Sequence, residues 1–310
     1  MKLKVNILTG AAIGIIWLLL VDVTIVEIAL ALSFLILIPL LIHIAVPKRA
    51  TVTAEHWLFW LSDHSVAAAL FALAAVTLDN YWISVLCAAV WLVYTGLIAM
   101  MGAVRIWNRR IYPAEEMIID IGLLFTAVGG MWLLLSEAGI HRLLPYSEIT
   151  IQLTAVHYHY SAVVVTILTG AFGRFLFAQT GKTGPLYRFL AIGTAVGSPL
   201  IALGVVQGPP LEVVYVTIYS TILLWMSVWW FILLPRMPLR ARWFIGTASV
   251  TLFISIGVTM LYAIGMVTET QFVTLDMMFY WHGAVNSLGF SLFGVVGWYL
   301  LGSQPKRTRN

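Results

Sequence analysis

Thr154-Ala155-Val156-His157-Tyr158-His159-Tyr160-Ser161 places two histidines and two tyrosines inside a run that is otherwise apolar from Ile149 to Phe177. A second polar knot, Tyr280-Trp281-His282-Gly283-Ala284-Val285-Asn286, puts His282 and Asn286 four residues apart, hence on one face of a helix. Neutral imidazole binds metals, and it passes protons near physiological pH. Residues i and i+2 stand about 200° apart around a helix, so His157 and His159 point to opposite flanks. One compact ion is not gripped by both. The spacing suits two separate sites, or one ligand beside one hydrogen-bonding group. Zinc hydrolases instead space their histidines four apart, as in His-Glu-x-x-His, and that pattern is absent from this segment. The competing reading is a hydrogen-bonded structural cluster.

These residues need helices to hold them. Of the 310 residues, 61% are hydrophobic and 10% charged. Apolar runs of about 20 residues cross a bilayer, and backbone in lipid must satisfy its own hydrogen bonds, so the runs are helices. The pattern predicts an all-α polytopic transmembrane bundle, a single integral membrane domain over 1–310. About ten spans are expected, near 5–21, 25–46, 56–78, 82–103, 115–135, 149–177, 187–206, 211–234, 243–267 and 276–301. The first reads as a retained helix rather than a cleaved leader. Pro39 and Pro199 fall inside spans and are expected to kink them. The single cysteine, Cys87, excludes a disulfide framework and a cysteine-based metal site within the chain. The lipid bilayer is the expected partner. The sequence carries no nucleic-acid signal and names no protein partner.

Alternating the loops assigns sixteen of the 17 Lys and Arg to the side of the N-terminus, with only Arg142 opposite. By the positive-inside rule both termini are then cytoplasmic. Direction converts position into depth, at about 1.5 Å per residue. An outer layer collects His157, His159, His282 and Asn286, with Tyr158, Tyr160, Glu212 and Tyr215 as surrounding groups. Metal-bound imidazoles usually donate their other N–H to a carboxylate or carbonyl, a part Glu212 suits. A second layer near the cytoplasm holds Asp63 and His64, Glu116 and Asp120. Ionisable residues inside membranes are costly and face the bundle interior. That layer reads either as a proton route or as a polar network tying helices together.

The His157-Tyr158-His159-Tyr160 run, with Gly170, Phe172 and Thr180-Gly181 beyond it, resembles the helix of haem-copper oxidase subunit I that carries His-Phe-His-Tyr. The stretch from Gly170 to Pro185 also resembles part of the NnrS family of haem- and copper-containing membrane proteins. The first likeness implies haem ligation by His157 and His159 as a hypothesis, and the equal depth of His282 adds it to the candidate haem or transition-metal ligands. The oxidase copper site needs an adjacent His-His pair, and none occurs among the seven histidines. Oxygen reduction with proton pumping is therefore disfavoured. The chain more closely resembles the YndJ-like family of bacterial membrane proteins. The carriers are the run Thr154 to Tyr160, the run Trp281 to Phe290, and the Glu116/Asp120 opening of the fifth helix. This likeness implies a bacterial plasma-membrane location and supplies no reaction.

Three functions follow from these residues. The first is a haem- or metal-binding protein doing redox or gas-related chemistry at His157, His159 and His282. The second is a cofactor-free enzyme acting on a lipid or isoprenoid, with a histidine as general acid or base. The third is a proton-coupled transporter using the Asp63/His64/Asp120 layer. A scaffold with structural histidines is the bland alternative.

Overall fold

The computed structural model describes residues 2–46, 52–110 and 112–303. Pro47, Lys48, Arg49, Lys306, Arg307 and Arg309, which entered the proline and charge readings, lie outside the described residues. Eleven helices follow one another without a strand among the described residues. They are α1 Lys2–Leu20, α2 Ile25–Ala45, α3 Thr53–Asp63, α4 Ser65–Thr77, α5 Tyr81–Arg109 and α6 Ala114–Glu137. Then come α7 Glu148–Thr180, α8 Pro185–Gln207, α9 Leu211–Leu233, α10 Leu239–Thr268 and α11 Leu275–Ser303. Nine are long and apolar enough to cross a membrane, and α3 with α4 forms a broken tenth. The polytopic all-α expectation holds.

Local signals set the helix starts. Thr24 and Glu27 form a reciprocal capping box before α2. Asn80, Ser147 and Thr274 cap α5, α7 and α11 through their side-chain oxygens. The expected single span at 56–78 is instead bent by 57° at His64. Side chains from other helices take the carbonyls there. Asn6 Nδ2 donates to Ser62 O and Asp63 O, and Tyr94 Oη donates to Leu61 O. Outside donors inserted into a helical ladder are a known cause of kinks.

Three stretches are wound as π-helix: Ser33–Leu37 in α2, Tyr158–Val164 in α7 and Met278–Leu292 in α11. The first precedes Pro39, whose missing N–H leaves Leu35 O without its usual donor. That carbonyl lies against Gly10 of α1, where an added Cβ would stand 2.6 Å from it. By contrast, α8 runs through Pro199 as one helix.

At the centre, α6 is pressed between α5 and α7 along a glycine-bearing face. Small residues let membrane helices approach closely. At Gly129 a methyl group would meet the His159 ring, 2.8 Å from Nδ1. Gly129→Ala is therefore expected to cost about 1–3 kcal/mol by overpacking. A lowered midpoint of thermal unfolding in detergent checks this; an unchanged midpoint would show that the contact yields freely.

The two ends of the bundle differ in charge. Arg105, Arg109 and Arg174 gather where α2 ends and α6 begins. Glu27, Asp79 and Glu137 gather at the opposite end. We call these the basic end and the acidic end.

Candidate functional site

Toward the acidic end, α7 presents its two histidines to different neighbours, as the i, i+2 spacing predicts. His159 turns inward and is fully buried. Its Nδ1–H donates to Ala155 O at 2.8 Å, since a carbonyl only accepts. Nε2 is then unprotonated, and it accepts from Trp91 Nε1 at 3.3 Å. Phe34 stands edge-on to the ring at 5.3 Å. Both ring nitrogens are engaged by the protein. To ligate anything, His159 would have to release Trp91 in a fully buried pocket.

His157 turns the other way and meets His282. Their ring centroids are 6.3 Å apart and their planes differ by 23°. His157 Nδ1–H donates to Leu153 O at 2.7 Å. His282 Nδ1 lies 2.7 Å from Thr259 Oγ1 and 2.9 Å from Ser255 Oγ, both on α10. The Thr259 hydroxyl donates to Ser255 O, which leaves its oxygen to accept from Nδ1–H. The Leu153 carbonyl holds His157 as the Nδ1–H tautomer, whereas His282 Nδ1 can donate to Thr259 or accept from Ser255. Among the described residues, neither Nε2 has a hydrogen-bond partner.

The π-winding positions this pair. The π stretches of α2 and α11 both pack on the α7 segment around the histidines. Such windings are uncommon and concentrate at functional sites. π-winding also moves the residue one turn on from His282 toward Ser287, which is buried, while Asn286 stays half-buried beside it. The Asn286 Oδ1 atom is buried and has no hydrogen-bond partner.

Several expected neighbours lie elsewhere. Glu212 is not the histidines' hydrogen-bond partner. Leu153 O, Ala155 O and the α10 hydroxyls fill that role, because they are one turn or one helix away. Glu212 and Tyr215 instead pack on Gly204 of α8. Tyr160 Oη donates to Ala29 O at 2.7 Å and ties α7 to α2. Tyr158 lies against Phe125, with centroids 6.1 Å apart. No group of three or more His, Cys, Asp or Glu is placed to hold a metal among the described residues. Two cavities are described, and neither borders His157 or His282.

The second layer does not form one unit. Asp63 pairs with Lys2 at 3.2 Å, and His64 Nδ1–H donates to Trp60 O at 2.8 Å. Glu116 and Asp120 belong to a different cluster with three arginines that charge counting had treated only as topology markers. Arg105 Nε lies 2.8 Å from Asp120 Oδ1, both side chains 1% exposed. Arg109 reaches Glu116 Oε2 at 2.6 Å and Asp120 Oδ2 at 2.7 Å. Arg174 reaches Glu116 Oε1 at 2.5 Å. Arg105 and Arg174 also donate to Ala45 O, and Arg174 to Ile44 O. Those are orphan carbonyls at the C-terminus of α2, where the helix dipole favours cations.

Trp91, Ser255 and Thr259 were not singled out from the sequence. One signal was present for the hydroxyl pair: Ser255 and Thr259 are four residues apart on an apolar helix and share a face. Trp91 carried none, since it is one of 13 tryptophans.

An all-helical chain with nine or ten candidate spans and polar side chains turned into the bundle is a multi-pass membrane protein. Residues 28–290 match the family described as YndJ-like protein, and the chain belongs to that family. It is 29% identical over 287 residues to the uncharacterized membrane protein YndJ of Bacillus subtilis (strain 168), a match over 92% of this chain. The chain spans about half the length of that curated relative. No solved structure matches it.

Proposed function

We propose that the protein holds one transition-metal ion between His157 and His282, for redox or diatomic-gas chemistry, in the outer half of a bacterial plasma membrane. The observation that carries this reading is the pairing of the two imidazoles, each anchored at Nδ1. Each ring has its Nδ1 engaged by a protein oxygen, and neither Nε2 has a hydrogen-bond partner among the described residues. Metal-bound histidines almost always anchor their other N–H in this way. A metal–imidazole bond is about 2.0–2.1 Å, so two rings sharing one ion have centroids about 6 Å apart. The observed separation is 6.3 Å. Imidazole suits copper, zinc, iron and nickel. Two protein ligands leave coordination positions open, as reactive metal sites require. Asn286, four residues on from His282, keeps a buried Oδ1 without a hydrogen-bond partner. The same ring separation suits two axial ligands of a haem, an alternative that the optical spectrum separates from a single ion.

The sidedness rests on charge. The arginine cluster supports reading its end as cytoplasmic, with the histidines then toward the opposite leaflet.

Protein purified from cells supplied with these metals and with haem tests the reading, by metal analysis and an optical spectrum. About one metal ion per chain is expected, lost in both His157→Ala and His282→Ala. A preparation without stoichiometric metal overturns the proposal. A Soret band overturns the single-ion form and assigns the pair to haem.

A further inference from the structure

We propose that the cavity at the acidic end binds a small primary ammonium group. The cavity measures about 150 Å³ and lies between α2, α4, α6 and α7. The carboxylates of Glu27, Asp79 and Glu137 line it, and no lysine or arginine does. Glu27 is held by its capping box with Thr24. Asp79 and Glu137 make no hydrogen bond or ion pair among the described residues. Two unpaired carboxylates facing one cavity, with no cation lining it, are costly at a membrane boundary, and a cationic guest relieves that cost.

A second observation points to a ligand. Ser136 is only 8% exposed and lines the cavity, yet its hydroxyl has no hydrogen-bond partner among the described residues. That hydroxyl opens into the cavity, where a polar guest can pair it.

The guest's chemistry follows from the walls. The carboxylates are not grouped closely enough to chelate a metal ion. Hard divalent cations demand six or more oxygen ligands at about 2.0–2.6 Å. An ammonium instead offers three separate N–H donors, which reach carboxylates and a hydroxyl set apart from one another. The remaining walls include Leu30, Val76 and Leu133, apolar surface that suits a short methylene stem. At about 30 Å³ per water, the volume equals roughly five waters, room for ethanolamine-sized molecules. The site is independent of the metal reading. Ala155 lines the cavity on α7, whereas His157 points to the other flank of that helix.

The test is calorimetric titration of ethanolamine into the protein in phosphatidylcholine nanodiscs. Saturable binding is expected, with ethylene glycol, the neutral analogue, giving none. Glu137→Gln is expected to weaken binding by at least about tenfold, a change of 1.4 kcal/mol. Should that variant fail to fold, as judged by its elution profile, Asp79→Asn at the exposed rim is expected to weaken binding in the same direction. Nanodiscs containing phosphatidylethanolamine separate two sources of the ammonium. Competition there assigns a lipid headgroup; undiminished binding assigns a free amine. Both support the proposal. No saturable ethanolamine binding, equal binding of ethylene glycol, or binding unaltered in both variants overturns it. Tighter binding of Mg²⁺ than of ethanolamine also overturns it, by assigning a divalent-cation site.

Discussion

Glu116→Ala is expected to destabilise the protein by about 3–5 kcal/mol, the cost of removing one partner from a buried ion network. Glu116 accepts from Arg105, Arg109 and Arg174, residues of two different helices, α5 and α7. The five side chains carry three positive charges against two negative, and the carbonyl end of α2 offsets the surplus. Without Glu116 the count becomes three against one, with Arg105 almost wholly buried. Surface pairs are worth only about 0–1 kcal/mol, so the effect separates the two regimes. Thermal or denaturant unfolding in detergent reads it. A loss within the surface range would mean that water reaches the cluster freely. The double variant Glu116→Ala/Arg109→Ala is expected to be more stable than Glu116→Ala alone. It restores the balance by removing the most exposed of the three cations at their carboxylate contacts.

This cluster also shows what the sequence could and could not reveal. Glu116 and Asp120, four apart at the start of α6, were legible as a polar face. Their partners were not, because Arg105, Arg109 and Arg174 look like ordinary positive-inside residues until the helix ends are brought together. The same limit governs Asp63 and His64. Their similar depth suggested one layer with Asp120, but depth fixes only one coordinate. Rotation about each helix axis decides contact, and it sends Asp63 to Lys2.

The spans themselves were legible, because apolar runs in lipid leave helix as the only solution. The break at His64 was not, since its cause is Asn6 and Tyr94 donating from distant helices. Around the histidines the periodicity argument carried further. The opposite facing of His157 and His159 follows from i, i+2 spacing alone. Their actual neighbours, Trp91 and Thr259, required the folded bundle, and so did the π-winding that shapes the pair.

That opposite facing divides two roles, and a single substitution separates them. His159→Leu is expected to destabilise the protein while leaving metal stoichiometry unchanged. The leucine fills much of the space but cannot accept from Trp91 Nε1, which is fully buried. Stranding that donor costs about 1–3 kcal/mol. Replacing both partners by apolar groups is nearly neutral, so Trp91→Phe/His159→Leu is expected to recover part of the loss. His157→Ala should show the converse: metal lost, with a smaller change in the unfolding midpoint, since its ring is half-buried and held by a carbonyl of its own helix. Metal analysis beside thermal unfolding on the same preparations reads both. Loss of metal from folded His159→Leu would reverse the assignment, making the buried histidine a ligand and the Trp91 contact a gate that opens to admit it.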